Sequence, residues 1–179
     1  MPNIDYCNVD DPEIAELVST IRNRRASGKL LNLDRMLLHS PAFARGWNSM
    51  FAAIRNQLQV PRHINELVIC AVARLNNADY EWIQHAPEFL GAQGNQAQLD
   101  ALDDVTAACY NTELFNEHER IALRLTLDMT RQVKVRKEII EKARVLFGEQ
   151  QLVELMGTIA GYNMVSRFLV VLDIDASGE

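Results

Sequence analysis

The segment Glu66–His85, ELVICAVARLNNADYEWIQH, decides the fold expected for this chain. Its first half carries apolar side chains at helical spacing, an Asn-Asn pair indicates a turn, and the residues after the turn begin a second helix. On that second helix Glu81 and His85 are four positions apart, so their side chains lie on one face. A hairpin of two helices also brings Glu66 toward this face. The segment therefore predicts a helical hairpin that carries two carboxylates and an imidazole.

These three side chains are sufficient for proton transfer at neutral pH. A histidine exchanges a proton near pH 7, and a carboxylate beside it orients the ring and tunes its proton affinity. The pattern also has an ordinary structural interpretation, in which Glu81 and His85 form an exposed i,i+4 pair that contributes only ~0.2–0.5 kcal/mol. In that interpretation Glu66 faces water beside Arg62, one turn earlier. The alternative is that Glu66 is partly buried among its apolar neighbours and has Arg74 or His85 as its partner.

At these residues the chain resembles the carboxymuconolactone decarboxylase superfamily, which also contains the AhpD-like alkylhydroperoxidases. The signature of the superfamily is a Glu on one helix, a turn, two cysteines spaced C-x-x-C, and a His four residues after the second cysteine. Glu66 and His85 occupy the Glu and His positions, whereas Ala78 and Glu81 stand at the cysteine positions. The resemblance extends from about Leu31 to the closing GYNMVSRFLVVLDI, and YEWxxH without cysteines resembles the decarboxylase-type branch.

The resemblance implies a lyase that uses acid–base catalysis on a small carboxylate or lactone. In such a reaction a carboxylate leaves as carbon dioxide, electrons enter a conjugated lactone, and a carbon is protonated. His85 is the implied proton donor, which Glu66 and Glu81 orient or recharge. Tyr80 and Trp82 are expected to shape the wall of the substrate pocket. Four arginines are candidate partners for a substrate carboxylate: Arg45, Arg55, Arg74 and Arg167.

Two alternatives remain on the same fold. An AhpD-like alkylhydroperoxidase needs a thiolate nucleophile and a resolving thiol close to it. None of Cys7, Cys70 and Cys109 replaces the missing pair at matching spacing, which disfavours peroxiredoxin-type antioxidant activity. Cys70 instead has the surroundings of a buried, small apolar residue. The other alternative is a non-catalytic, ligand-binding member of the fold.

Composition limits the partners and the location of the protein. The 179 residues are 48% hydrophobic and 23% charged, which fits one globular domain or one domain with a small extension. The net charge of −6 opposes a nucleic-acid role, because phosphate binding needs an excess of Lys and Arg. Polar residues interrupt the most apolar segment, Leu152–Leu172, so it is expected to be a core helix and not a membrane span. Widely spaced cysteines and an acidic N-terminus predict a cytoplasmic protein.

Motifs for several other chemistries are missing from the sequence. It contains no G-x-S-x-G elbow, no phosphate-binding glycine loop and no H-E-x-x-H. A di-iron bundle needs two E-x-x-H pairs, which are also missing. We therefore predict no metal and no cofactor. The expected partners are a small-molecule substrate and, as the resemblance implies, further copies of the same chain.

The chain pattern predicts an all-α protein, because no stretch shows strand alternation bounded by turns. With the resemblance, the expected architecture is a single-domain AhpD-like bundle of helical hairpins over residues 31–179, preceded by a helical extension over residues 1–30. Asp11-Pro12 and Ser40-Pro41 indicate helix starts, and Asn116 is expected to cap a further helix. Pro87 should kink its helix or make it restart. The longest helix is predicted over Glu149–Asp173.

Overall fold

The computed structural model describes residues 2–25 and 27–178, and every regular element within them is helical. The all-α prediction is therefore confirmed. The α-helices of this part of the chain are α1 (Ala15–Arg24), α2 (Asn32–Leu37), α3 (Pro41–Asn56), α4 (Arg62–Asn76), α5 (Asp79–Gly91), α6 (Gln96–Ala101), α7 (Val105–Ala108), α8 (Glu117–Gln132) and α9 (Lys137–Val171). Single 3-10 turns occupy Pro12–Ile14 and Leu102–Asp104. Across residues 2–25 and 27–178, the helices lack the combination of length and apolar content that a bilayer crossing requires.

The chain divides into two compact units. The larger unit spans Leu58–Phe168, and in it α4 packs against α5 and α8, while α7 packs against α8. Its core joins apolar side chains of these helices, among them Leu67, Phe89 and Leu123, with Leu102 of the 3-10 turn. Burial of this kind stabilises by about 1.5–3 kcal/mol for each large apolar side chain.

The smaller unit contains the described residues up to Gln57 together with those from Leu169 to residue 178. In it α1 and α2 both pack against α3. Asp34 is buried at the start of α2 and accepts hydrogen bonds from the Arg25 guanidinium and from the Leu31 backbone N–H. A separate extension over residues 1–30 stays a prediction.

Most of the expected helix starts are confirmed by their caps. The Asp11 side chain accepts from the Glu13 N–H at the beginning of the 3-10 turn that leads into α1. Pro41 is the first residue of α3. Asn116 and Glu119 form a reciprocal capping box at the start of α8. These local signals depend only on residues a few positions apart, which is why the sequence predicts them well.

Pro87 and Gly148 have different effects on the helices that contain them. α5 does not restart at Pro87 but continues to Gly91. The carbonyl that loses its helical partner belongs to Ile83, and both residues lie on the exposed side of α5, where water can satisfy that carbonyl. α9 is interrupted at Gly148, whose φ of 71° and ψ of 174° are not helical. The long final helix therefore begins after Gly148, as the sequence predicted.

The hairpin expected from Glu66–His85 is formed by α4 and α5. Asn77 joins them in the left-handed conformation, with φ 52° and ψ 45°, which asparagine tolerates better than most residues. The Ala78 N–H returns to the Ala73 carbonyl and closes the end of α4. This tight connection places the middle of α4 beside the first two turns of α5.

Candidate functional site

Glu66 on α4 and His85 on α5 form a buried pair. His85 Nδ1 lies 2.7 Å from Glu66 Oε2, and each residue is only 6% exposed. The ring of Tyr162 meets the imidazole edge-on, with ring centroids 5.0 Å apart. His85 makes no other hydrogen bond to the residues that the structure describes, so Nε2 is the ring nitrogen without a partner among them. The partner of Glu66 is therefore His85, and Arg62 pairs with Glu88 instead.

Glu81 is more deeply buried and has a different partner. It is 1% exposed, and its Oε2 lies 2.9 Å from Ser166 Oγ. Its Oε1 is buried without a hydrogen-bond partner among the described residues. Burial raises the pKa of the Glu81 carboxyl well above its ordinary value, and the Ser166 hydrogen bond opposes this only in part. The exposed Glu81–His85 pair considered from the sequence is thus wrong, because both side chains are buried and each has its own partner.

Two site residues on α9 were not identified from the sequence. Tyr162 packs against the His85 ring, and Ser166 contacts Glu81 from the next turn of the same helix. Ser166 is completely buried, and its Oγ also lies 2.9 Å from the Tyr162 carbonyl oxygen. A small polar residue at a core position of an apolar helix was the available signal, and both residues lie in the closing GYNMVSRFLVVLDI.

Cys70 lies one turn after Glu66 on α4 and is fully buried. Burial raises the pKa of its thiol strongly, the Glu66 and Glu81 carboxylates raise it further, and Arg74 opposes them. Cys70 therefore lies near enough to both acids for them to affect its pKa, and it remains a neutral thiol. The expectation that Cys70 is a buried, small apolar residue is met.

Arg74 lies near the end of α4, on the face that carries Glu66 and Cys70. Its guanidinium carbon lies 3.5 Å above the ring centroid of Trp82, and its Nη2 is 3.1 Å from Asp103 Oδ1. Trp82 is half-buried and packs against the apolar core, while Tyr80 is buried. A role for Tyr80 and Trp82 in a pocket wall stays a prediction.

The other candidate arginines have different surroundings. Arg45 and Arg55 are exposed on α3. Arg167 is exposed on α9, and its Nη1 donates to the backbone and side-chain oxygens of Asn163. It contributes to the lining of a cavity of about 340 Å³ beside Met129 and Met164.

The donor groups of the site do not assemble into a metal centre. Within residues 2–25 and 27–178, no group of three or more His, Cys, Asp or Glu side chains is placed to hold a metal ion. Glu66 and His85 contact each other, while Glu81 contacts a hydroxyl. The arrangement instead offers one carboxylate–imidazole pair and one separate carboxyl group.

No protein-family model matches this chain, and no curated protein matches it at a significant level. Solved structures do match it closely in fold. A peroxidase-related protein from Silicibacter sp. TM1040 superposes with a TM-score of 0.80 and 15% identity, over 99% of this chain and 92% of that one. An AhpD core protein from Ralstonia eutropha JMP134 gives a TM-score of 0.79 and 13% identity, over 99% and 93%.

A third similar structure is that of a debrominase. A cysteine-to-alanine variant of the debrominase Bmp8, in complex with 2,3,4-tribromopyrrole, gives a TM-score of 0.75 and 17% identity, over 97% of this chain and 95% of that one. At these identities the likeness concerns the fold, and it covers nearly the whole length of each protein. This chain therefore has the AhpD-like fold, as the resemblance at Glu66–His85 implied.

Proposed function

We propose that this protein is an acid–base enzyme of the carboxymuconolactone decarboxylase type, which removes carbon dioxide from a small carboxylate or lactone. The buried hydrogen bond of 2.7 Å between Glu66 and His85 carries this proposal. Burying two ionisable groups is costly unless they serve each other, and an imidazole oriented by a carboxylate is suited to proton transfer near pH 7.

In the proposed reaction the bond between the substrate carboxylate and its carbon breaks, and carbon dioxide leaves. The electron pair of that bond enters the conjugated system of the substrate. His85 then delivers a proton from Nε2 to the carbon that has gained the electron pair, and water returns a proton to the ring. Glu66 fixes the ring through Nδ1, so that Nε2 is the atom presented to the substrate. A positioned acid or base of this type contributes about 10²–10⁴ in rate.

Other residues are assigned supporting roles in this proposal. Glu81 is the third member of the catalytic set, and Tyr80 and Trp82 form part of the pocket wall. Arg74 is the preferred partner for a substrate carboxylate, because it lies on the same face of α4 as Glu66 and its charge acts on Cys70, which lies between them in sequence. The homo-oligomeric state and the cytoplasmic location also stay predictions.

The debrominase with this fold supports a reaction other than peroxide reduction. Its substrate complex contains a small halogenated ring, so the scaffold accommodates chemistry on small cyclic molecules in at least that protein. Fold alone does not determine function, and the assignment for this chain depends on its own Glu66–His85 pair.

A thiol peroxidase mechanism fits the site poorly. Ala78 and Glu81 stand where the two cysteines would be, and Cys70 is a buried thiol whose pKa is raised. Burial also raises the pKa of Cys109, to about 11. The reactive form of cysteine is the thiolate, which both environments oppose. Peroxide turnover with an added dithiol that disappears in Cys70→Ser would overturn this conclusion.

The decarboxylase proposal is tested with carboxymuconolactone in D2O, following carbon dioxide release and deuterium incorporation into the product. His85→Gln should lose about 10²–10⁴ in rate, and Glu66→Gln should lose activity because the ring is no longer oriented. His118→Gln is the matched control, since His118 is exposed on α8.

Three outcomes separate the alternatives. Equal rates for wild type and a folded His85→Gln variant would contradict the proposal. Binding of the lactone by the wild type without any carbon dioxide release favours the non-catalytic alternative. Loss of activity in His118→Gln as well would show that the histidine substitutions act through folding and not through the site.

A further inference from the structure

The hydroxyl of Ser166 has two neighbours but only one proton. Its Oγ lies 2.9 Å from the Tyr162 carbonyl oxygen and 2.9 Å from Glu81 Oε2. The carbonyl oxygen can only accept a hydrogen bond, and so can an ionised carboxylate. Ser166 can therefore satisfy both contacts only if one neighbour supplies a proton of its own, and Glu81 is the one able to do so.

An ionised Glu81 would be poorly accommodated at this position. It would be a charge only 1% exposed, with one neutral hydroxyl as its donor and with Oε1 lacking any partner among the described residues. An ionised carboxylate in such surroundings is far more costly than a neutral carboxyl. An unpaired carbonyl-type oxygen of a neutral acid costs less than an unpaired oxygen that shares a full negative charge.

A protonated Glu81 makes both contacts into hydrogen bonds. Ser166 then donates to the Tyr162 carbonyl, as a helical serine commonly does to the residue four positions earlier. Its oxygen accepts the proton of Glu81 Oε2. Both 2.9 Å contacts are accounted for in this arrangement, whereas the ionised form leaves one of them without a proton.

We propose that Glu81 is a neutral carboxylic acid in the folded protein, with its proton on Oε2 donated to Ser166, and that Ser166 is the positioning residue of this proton. No cationic side chain of the described residues is hydrogen-bonded to the Glu81 carboxyl. On α4 the titratable group close enough to interact electrostatically with Glu81 is the neutral thiol of Cys70. On α5 the imidazole of His85 is hydrogen-bonded to Glu66 and not to Glu81. The burial that raises the pKa of Glu81 agrees with the hydrogen-bond geometry.

This assignment deepens the proposed function, on which its chemical role rests. A neutral Glu81 keeps a second negative charge away from a site that already contains the Glu66 carboxyl. A neutral Glu81 is therefore compatible with an anionic substrate, for which His85 is the proton donor of the proposed function.

Infrared spectroscopy of the resting protein tests the proton directly. A protonated carboxylic acid has a C=O stretch well separated from the bands of carboxylates, and we expect this band at pH 7 in the wild type. It should disappear in Glu81→Gln and persist in Glu113→Gln, a matched substitution at an exposed position. Ser166→Ala should move the band to higher frequency, because the acid loses its hydrogen-bond acceptor. Ser166→Thr, which keeps a hydroxyl, should restore the wild-type position.

Each result has a defined meaning. A wild-type spectrum without the band, or a band that survives Glu81→Gln, would overturn the neutral acid. A band that stays at the same frequency in Ser166→Ala would overturn the positioning role. If the alanine variant does not fold, Ser166→Cys should move the band in the same direction by a smaller amount, because its sulfur is a weak acceptor. The infrared measurement needs no substrate. If the band is present but the protein releases no carbon dioxide, the neutral Glu81 stands and only the proposed decarboxylase function is overturned.

Discussion

Replacing Glu81 with glutamine should make the stability of the protein less sensitive to pH. Glutamine has nearly the shape of a protonated glutamate, and its amide can donate to Ser166 as the carboxyl does. It cannot ionise in either the folded or the unfolded chain. The difference in unfolding free energy between wild type and Glu81→Gln therefore isolates the ionisation of this one buried group.

The sign of the effect follows from the raised pKa. In the unfolded chain Glu81 ionises near its ordinary value of 4.5, whereas the folded protein retains the proton to a much higher pH. Its contribution to stability is therefore complete below the unfolded pKa and is lost as the pH rises toward the folded pKa. In this window the wild type should lose about 1.4 kcal/mol per pH unit relative to Glu81→Gln, a tenfold change in the unfolding equilibrium constant. Above the folded pKa the difference should become constant.

Urea unfolding at a series of pH values measures this difference. Trp82 lies in the same compact unit as Glu81, and Trp47 lies in the other, so a Trp47→Phe background makes the fluorescence report on the relevant unit. The urea midpoints of two variants are compared only when their unfolding free energies fall with urea concentration at the same slope. A change in this slope would indicate a change in the surface exposed on unfolding. Glu113→Gln is the control for a neutralised surface carboxylate. A difference that does not vary from pH 5 upward, or one that increasingly favours the wild type, would refute the reasoning.

Three further predictions concern other parts of the chain. Asp34→Asn should destabilise the protein by about 3–5 kcal/mol in urea unfolding, because it removes one partner of a buried ion pair and leaves the other in place. Gly148→Ala should cost about 1–3 kcal/mol and lower the midpoint of thermal unfolding measured by circular dichroism, since φ of 71° with ψ of 174° is a conformation for glycine. A thiol reagent at neutral pH should modify Cys7 quickly and should reach Cys70 and Cys109 only when the protein unfolds, as mass spectrometry of timed samples would show.

The hairpin was predictable because its signals are local. Helical spacing in α4, the Asn-Asn turn and the start of α5 all lie within twenty residues of one another. The signature spacing then placed Glu66 and His85 in register, and the structure has them in hydrogen-bond contact. The side-chain caps Asp11 and Asn116 were equally accessible, since each bonds to a backbone N–H two or three residues away.

The partner of Glu81 was not predictable in the same way. Ser166 is 85 residues further along the chain, and no spacing rule connects the two positions. The spacing of Glu81 and His85 predicts a pair, because the two residues share a helix face. The helix that packs against that face cannot be identified from this spacing. The position of Pro87 was a similar case, because whether proline interrupts a helix depends on what surrounds the carbonyl that it leaves unpaired.

The contrast between Glu66 and Glu81 explains how a site with two carboxyls can divide two tasks. Glu66 faces an imidazole, which can carry a positive charge and so can share a proton with it. Glu81 faces only a hydroxyl whose own proton has a backbone carbonyl within reach, and this partner cannot compensate a negative charge. Burial raises the pKa of Glu81, so this carboxyl keeps its proton, whereas Glu66 is placed to orient the imidazole. A difference in surroundings of this kind commonly separates an acid from the group that orients a base. The sequence supplied both carboxyls, but the helix packed against them determines which one keeps its proton.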